Sequence, residues 1–236
     1  MAGATLAVAI AAAACAKDGS TSDTARASVP GDSLAPVMRA AGENDGAPPV
    51  TILFVGTSLT AGQGIELEDA YPAVLGRMLD SAGHPVTVRN SGQSGETSAG
   101  ALRRLDWPLS SEDIDILVVE TGANDGLRGL DLDSTRANLA TILDRARERR
   151  PKARLLLVQM ESPPNMGERY TRAFRAMFPQ VARERSVTLA PFLLEGVAGI
   201  DSLNQGDGIH PNEAGARVAA RNLYPVMLRL VREVGG

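Results

Sequence analysis

The chain has 236 residues, 44% of them apolar and 22% charged, which suits one soluble globular domain with room for an extension. A net charge of −4 leaves no basic surplus for phosphate contacts and speaks against nucleic acid as a partner. Cys15 is the only cysteine and there are two histidines, so neither an internal disulfide nor a thiolate metal site can be built, and no metal or cofactor is expected.

The first feature in the chain is an apolar run of small residues, "AGATLAVAIAAAACA" at 2–16, too short to span a bilayer but suited to the core of a signal peptide. Its end at a lone cysteine resembles the lipobox of bacterial lipoproteins, although Ala12 stands where leucine is preferred and no Lys or Arg precedes the run. Three readings of Cys15 stay open: the lipid-bearing first residue of a membrane-anchored mature chain, a bystander in a secreted chain, or a buried structural thiol. Residues 17–49 are rich in Ser, Thr, Asp, Gly, Ala and Pro without periodicity, which is linker composition, so the folded domain is expected over 50–236.

From Val50 onward short apolar runs alternate with helix-period segments. The pattern predicts strands at 50–56, 86–90, 114–119, 154–159 and 187–190. Helices are predicted at 69–82, 97–107, 133–149, 167–185 and 213–232. Runs such as "IDILVVE" and "ARLLLVQ" lack strict alternation, as expected of parallel strands covered on both faces. In such sheets ligands bind beyond the carboxyl ends of the strands, so chemistry is sought in the loops that follow them.

Ser58 sits two residues past the first strand, in "GTSLTAGQG". A serine hydroxyl needs a positioned base to act as a nucleophile. His84, in the helix-to-strand turn "AGHPV", falls at the opposite end of the sheet. His210, in "DGIHP", follows Asp207 by three residues, and a carboxylate there can fix the imidazole's tautomer and orientation. Asn124 lies in "TGANDGLRG" after the third strand, where its amide can donate to a developing oxyanion, although Asn-Asp-Gly is by itself a strong turn signal. Gly95 in "NSGQSGET" offers a backbone N–H that a substrate can approach closely, or marks a plain turn. Two motifs fail on inspection. "GQGIEL" completes neither a dinucleotide loop nor a Walker loop, and Ser94 in "GQSGE" misses the G-x-S-x-G elbow by its last residue, Glu96.

Taken in order, "GTSLTAG", "NSGQSGET", "GANDGLRG" and "DGIHP" resemble the four blocks of the SGNH (GDSL-type) hydrolases. They are most similar to the blocks of the bacterial secreted thioesterase, arylesterase and lysophospholipase subgroup, and the match spans nearly all of 50–232. The resemblance implies an α/β/α sandwich of flavodoxin-like type with five parallel strands. It also implies Ser58 as nucleophile, with its own N–H, Gly95 and Asn124 as oxyanion hole, His210 as base and then acid, and Asp207 as its orienting partner. Thr57 replaces the motif aspartate and Ala123 a common second glycine, positions outside the proton relay. The substrate implied is a small-molecule acyl ester or thioester. A carbohydrate O-acetylesterase and a non-catalytic envelope-binding lipoprotein are the alternatives. The loop "MESPPNMGERY" (160–170) matches the place of a substrate-lining loop in the subgroup, with Met160 and Met166 as adaptable apolar contacts.

Overall fold

The computed structural model describes residues 48–110 and 114–235. The expectations for 2–16, Cys15 and the linker as far as residue 47 lie outside the described residues.

Five parallel strands form one sheet: β1 (Val50–Gly56), β2 (Val86–Gly92), β3 (Ile116–Glu120), β4 (Arg154–Gln159) and β5 (Thr188–Phe192), in the order β2-β1-β3-β4-β5. β1 and β3 are buried at every residue, which is why their sequences run apolar without alternation. Helices α1 (Ser58–Ala61), α2 (Tyr71–Ser81), α3 (Ser98–Arg104), α4 (Ala123–Leu127), α5 (Leu132–Arg149), α6 (Glu168–Glu184) and α7 (Glu213–Gly235) connect them. α2 packs on α7, whereas α5 packs on both α3 and α6, so the helices form two groups about the sheet. This is the three-layer flavodoxin-like arrangement that the alternation of elements predicts.

Two short helices go beyond the expected list. α1 begins directly at Ser58 because Thr57, in extended conformation, turns its hydroxyl back to accept the N–H of Leu59 at 3.5 Å. α4 begins at Ala123, inside the segment that reads as a turn. Asp125 in its first turn is buried and accepts the N–H of Ser98 at 2.8 Å and its hydroxyl at 2.6 Å, which pins α4 to the start of α3. A carboxylate whose acceptors are filled this way can be held in a core.

Candidate active site

All the singled-out loops except the one carrying His84 leave the carboxyl ends of the strands. Ser58 follows β1, Gly95 follows β2, Asn124 follows β3, and Asp207 and His210 lie between β5 and α7. Ser58 Oγ and His210 Nε2, 152 residues apart in sequence, are 2.9 Å from one another. On its far side the imidazole Nδ1 is 2.6 Å from Asp207 Oδ2. The remaining oxygen, Oδ1, accepts the backbone N–H of Ile209 at 2.9 Å and of His210 at 3.0 Å. The bond to the imidazole, then these backbone donors, hold the Asp207 carboxyl well below the usual carboxylate range. An ionised Asp207 requires the proton on Nδ1, which leaves Nε2 as an acceptor for the serine hydroxyl.

Asn124 Nδ2 donates to the carbonyl of Glu96 at 3.0 Å, and Arg128 donates to the carbonyl of Gly95 at 3.0 Å. The loop after β2 is therefore held from the loop after β3. It is braced from beneath as well: Arg104 binds the Glu96 carboxylate at 2.7 Å, the Ser91 hydroxyl at 2.7 Å and the Ser91 carbonyl at 2.8 Å. Gly95 has φ +74°, a backbone conformation that glycine adopts without strain. The N–H groups of Ser58 and Gly95 have no acceptor among the described residues. One amide hydrogen of Asn124 is likewise left over from the bond to Glu96. Three donors are thus available: the N–H of Ser58 itself and one donor on each of the loops after β2 and β3.

A narrow apolar crevice lined by Ser58, Ile65, Leu193, Leu194, His210 and Pro211 opens beside the serine. Its space is about 10 Å³, room for roughly one water.

The other singled-out residues separate cleanly. His84 lies between α2 and β2, where Arg232 Nε approaches its Nε2 at 3.3 Å, remote from Ser58. Ser94 is exposed and its hydroxyl makes no hydrogen bond among the described residues. Met160 corrects an expectation: it is 2% exposed and belongs to the hydrophobic core, because the chain one residue past β4 is still covered by helices, so it presents no surface to a substrate. Met166 is half-buried, with its methyl against Gly129 in the loop that follows Asn124.

Glu120, the last residue of β3, is the residue that pattern reading missed. It is fully buried directly under the nucleophile turn, accepts the N–H of Thr57 at 3.0 Å and the hydroxyl of Thr60 at 2.8 Å, and lies 3.0 Å from the Thr57 hydroxyl. The only sequence signal was a carboxylate closing the apolar run "ILVVE". Thr57, in the place of the motif aspartate, is itself fully buried and joined to this carboxylate, so the turn is tied down without a second acid.

A model of the GDSL-like lipase/acylhydrolase family matches residues 54–218. The chain is 39% identical over 181 residues to esterase TesA of Pseudomonas aeruginosa, covering 77% of this chain and 89% of that protein. It is also 39% identical over 162 residues to thioesterase 1/protease 1/lysophospholipase L1 of Escherichia coli K12, covering 69% and 76% respectively. Among solved structures, the psychrotrophic esterase EstA from Pseudoalteromonas sp., in a form inhibited by monoethylphosphonate, superposes with a TM-score of 0.72 at 31% identity, covering 77% of this chain and 98% of that one. With the fold, the four motif loops in their order and these likenesses together, the chain belongs to the GDSL-like lipase/acylhydrolase family and is an SGNH-type serine hydrolase.

Proposed function

We propose that the protein hydrolyses carboxylic esters and thioesters of small molecules through an acyl-enzyme on Ser58. The observation that carries this is the unbroken series Ser58, His210, Asp207 at 2.9 and 2.6 Å. Ser58 Oγ attacks the acyl carbonyl carbon while His210 Nε2 takes the hydroxyl proton, and the imidazolium that forms is held by Asp207. The carbonyl oxygen, now an oxyanion, is met by the N–H of Ser58, the N–H of Gly95 and the second amide N–H of Asn124. Collapse expels the alcohol or thiol, which leaves with the proton from His210. A water then gives a proton to the same nitrogen, attacks the acyl-enzyme, and releases the acid with Ser58 restored. The cycle calls for no cofactor. The names of the relatives, an esterase and a thioesterase/lysophospholipase, support the bond type.

Treatment with a fluorophosphonate followed by peptide mass spectrometry tests the nucleophile. A tag on Ser58 is expected. A tag on Ser94, or none on folded protein, overturns the assignment, and the latter is what a non-catalytic binding protein would give. Turnover of chromogenic acyl esters in preference to acetylated sugars is expected; the reverse order makes it a carbohydrate O-acetylesterase.

The same proposal extends to location. The apolar run within 2–16 acts as an export signal that is cleaved before Cys15, and Cys15 becomes the lipid-bearing first residue of a membrane-anchored protein. The small-residue run ending in that cysteine and the linker composition after it support this. Expressed in a bacterial host, the native chain should partition into detergent and Cys15→Ala should not. Equal partitioning of the two overturns lipidation in favour of plain secretion.

A further inference from the structure

Glu120 is a fully buried carboxyl that the proton relay does not use, and no ion pair reaches it among the described residues. Isolating a carboxylate from water without a counter-charge is expensive, so its surroundings must repay it by donating hydrogen bonds. They do so from a single turn. The N–H and hydroxyl of Thr57 and the hydroxyl of Thr60 all point at Glu120, at 2.8 to 3.1 Å. The Thr60 hydroxyl has one hydrogen and spends it on Glu120, so the Tyr71 hydroxyl, 2.8 Å away, must donate to Thr60 in turn. Little slack remains in this cluster: a Cβ on Gly56 would stand 2.8 Å from Glu120 Oε2 and would collide with Thr60 Oγ1.

Thr57 and Thr60 bracket Ser58, and Glu120 lies four residues before Asn124 on the same stretch of chain. We propose that Glu120 is a positioning residue for the reaction: its carboxylate locks the Thr57–Thr60 turn onto β3, so that Ser58 keeps its alignment with His210 on one side and with Asn124 on the other. This rests on the reading of Ser58 as nucleophile.

The grip depends on the carboxyl being ionised. Burial raises the Glu120 pKa, against the pull of the Thr57 and Thr60 hydrogen bonds, to about 7. When protonated, one oxygen becomes a donor facing donors. Hydroxyls can rotate away, but the backbone N–H of Thr57 cannot. Charged and titratable groups on the neighbouring elements are otherwise committed. The Tyr71 phenol on α2 is pushed well above its ordinary range by burial and then by Glu120. Arg104 on α3 is paired with Glu96 and touches the Gly56 carbonyl at 3.3 Å. Asp125 on α4 is held by Ser98 and Thr135.

The test uses the folded full-length protein, with Ser58 labelling rate, kcat and KM on a p-nitrophenyl ester followed from acid to alkaline pH. Glu120→Gln keeps the shape but presents an amide donor to the turn. It should slow both labelling and kcat by about ten- to a hundredfold, the scale of a small misplacement of a reacting group, with KM within about twofold. The acid limb of kcat/KM should also lose the proton that Glu120 contributes. A folded Glu120→Gln with kcat within about threefold of the parent and an unchanged acid limb overturns the proposal. Should Glu120→Gln fail to fold, Thr57→Val, which deletes the donor at constant volume, should lower kcat by at least about fivefold, and Thr57→Ser should recover the greater part. Equal activity of those two also overturns it. A parent protein that takes no label at Ser58 overturns the nucleophile assignment itself, and this inference with it.

Discussion

The side-chain amide of Asn124 is bound to the backbone carbonyl of Glu96 at 3.0 Å, so it spends one hydrogen on tying the loop after β3 to the loop after β2 and leaves a second pointing elsewhere. If that second hydrogen meets the oxyanion, Asn124→Ala should lower kcat by roughly a hundred- to a thousandfold, on the order of 3–4 kcal/mol, with little change in KM. Asn124→Asp keeps size and turn preference but turns a negative acceptor toward both a carbonyl and an oxyanion. It should be at least as damaging as alanine. Steady-state kinetics on enzyme counted by active-site titration checks this. If both variants fold and keep more than about a tenth of the parent kcat, the oxyanion role fails.

Met160 and Met166 stand six residues apart in one loop and should behave oppositely. Met160 is packed in the core, so Met160→Ala should cost about 2–5 kcal/mol of stability and leave the preference between short and long acyl esters unchanged. Met166 lies on Gly129, in the loop beyond Asn124, and its truncation should shift that preference with little loss in melting temperature. Thermal melts and a chain-length series on both variants check this. An unchanged series for Met166→Ala removes this loop from the substrate.

These two loops also show what was legible in the sequence and what was not. The sheet could be read because its central strands are buried on both faces, and burial on both faces writes itself as uninterrupted apolar runs such as "ILFV" and "ILVV". Ser58, Asn124, Asp207 and His210 could be read because each sits in a short motif of fixed spacing. Glu120 could not: one carboxylate at the end of an apolar run says nothing about three donors that arrive from 60 to 63 residues away. Met160 misled for the converse reason. Its type suits a substrate pocket and a core equally, and only the helices that cover the end of β4 decide between them. In "GANDGLRG" the turn signal of Asn-Asp-Gly concealed a helix, because Asp125 spends its carboxylate on Ser98 rather than on its own turn.

Asp207 uses both oxygens, one on the imidazole and one on the N–H groups of Ile209 and His210. Asparagine cannot reproduce that. With its oxygen kept on the two backbone donors, its NH₂ faces Nδ1 and forces the imidazole proton onto Nε2, where it blocks removal of the serine proton. Asp207→Asn should therefore lower kcat by roughly 10³- to 10⁴-fold. Alanine leaves the imidazole free to choose its tautomer, so Asp207→Ala should be no worse. Parallel kinetics of the two variants check this; an asparagine variant clearly more active than the alanine variant would mean that Asp207 acts through the shape and backbone hydrogen bonds that asparagine keeps, and not through fixing the imidazole tautomer.

The pH dependence of stability should run against that of activity. Burial lifts the Glu120 carboxyl from its ordinary 4.5 to about 7, so between those values the folded protein holds a proton that the unfolded chain has released. The stability this confers is complete below about pH 4.5 and is lost as pH rises through 7. For a shift of this size it amounts to about 3 kcal/mol. Asp207 has the opposite sign: its lowered pKa stabilises the fold above the ordinary carboxylate value of 3.8, and that contribution is lost as pH falls further. The melting temperature should accordingly peak near pH 4.5 to 5.5 and be lower at pH 8 by about 6–12 °C for a domain of this size. Glu120→Gln, having no proton to lose, should flatten the decline between pH 5 and pH 8, whether or not it is the more stable protein at either end. Calorimetric melts of both proteins across that range check this, and parallel slopes would show that Glu120 does not titrate there. If the slopes diverge as expected, the enzyme is most stable where the Thr57–Thr60 turn is loosest. The carboxylate that aligns Ser58 is then held in its charged form at the expense of the fold, which is the trade expected of a group kept for function.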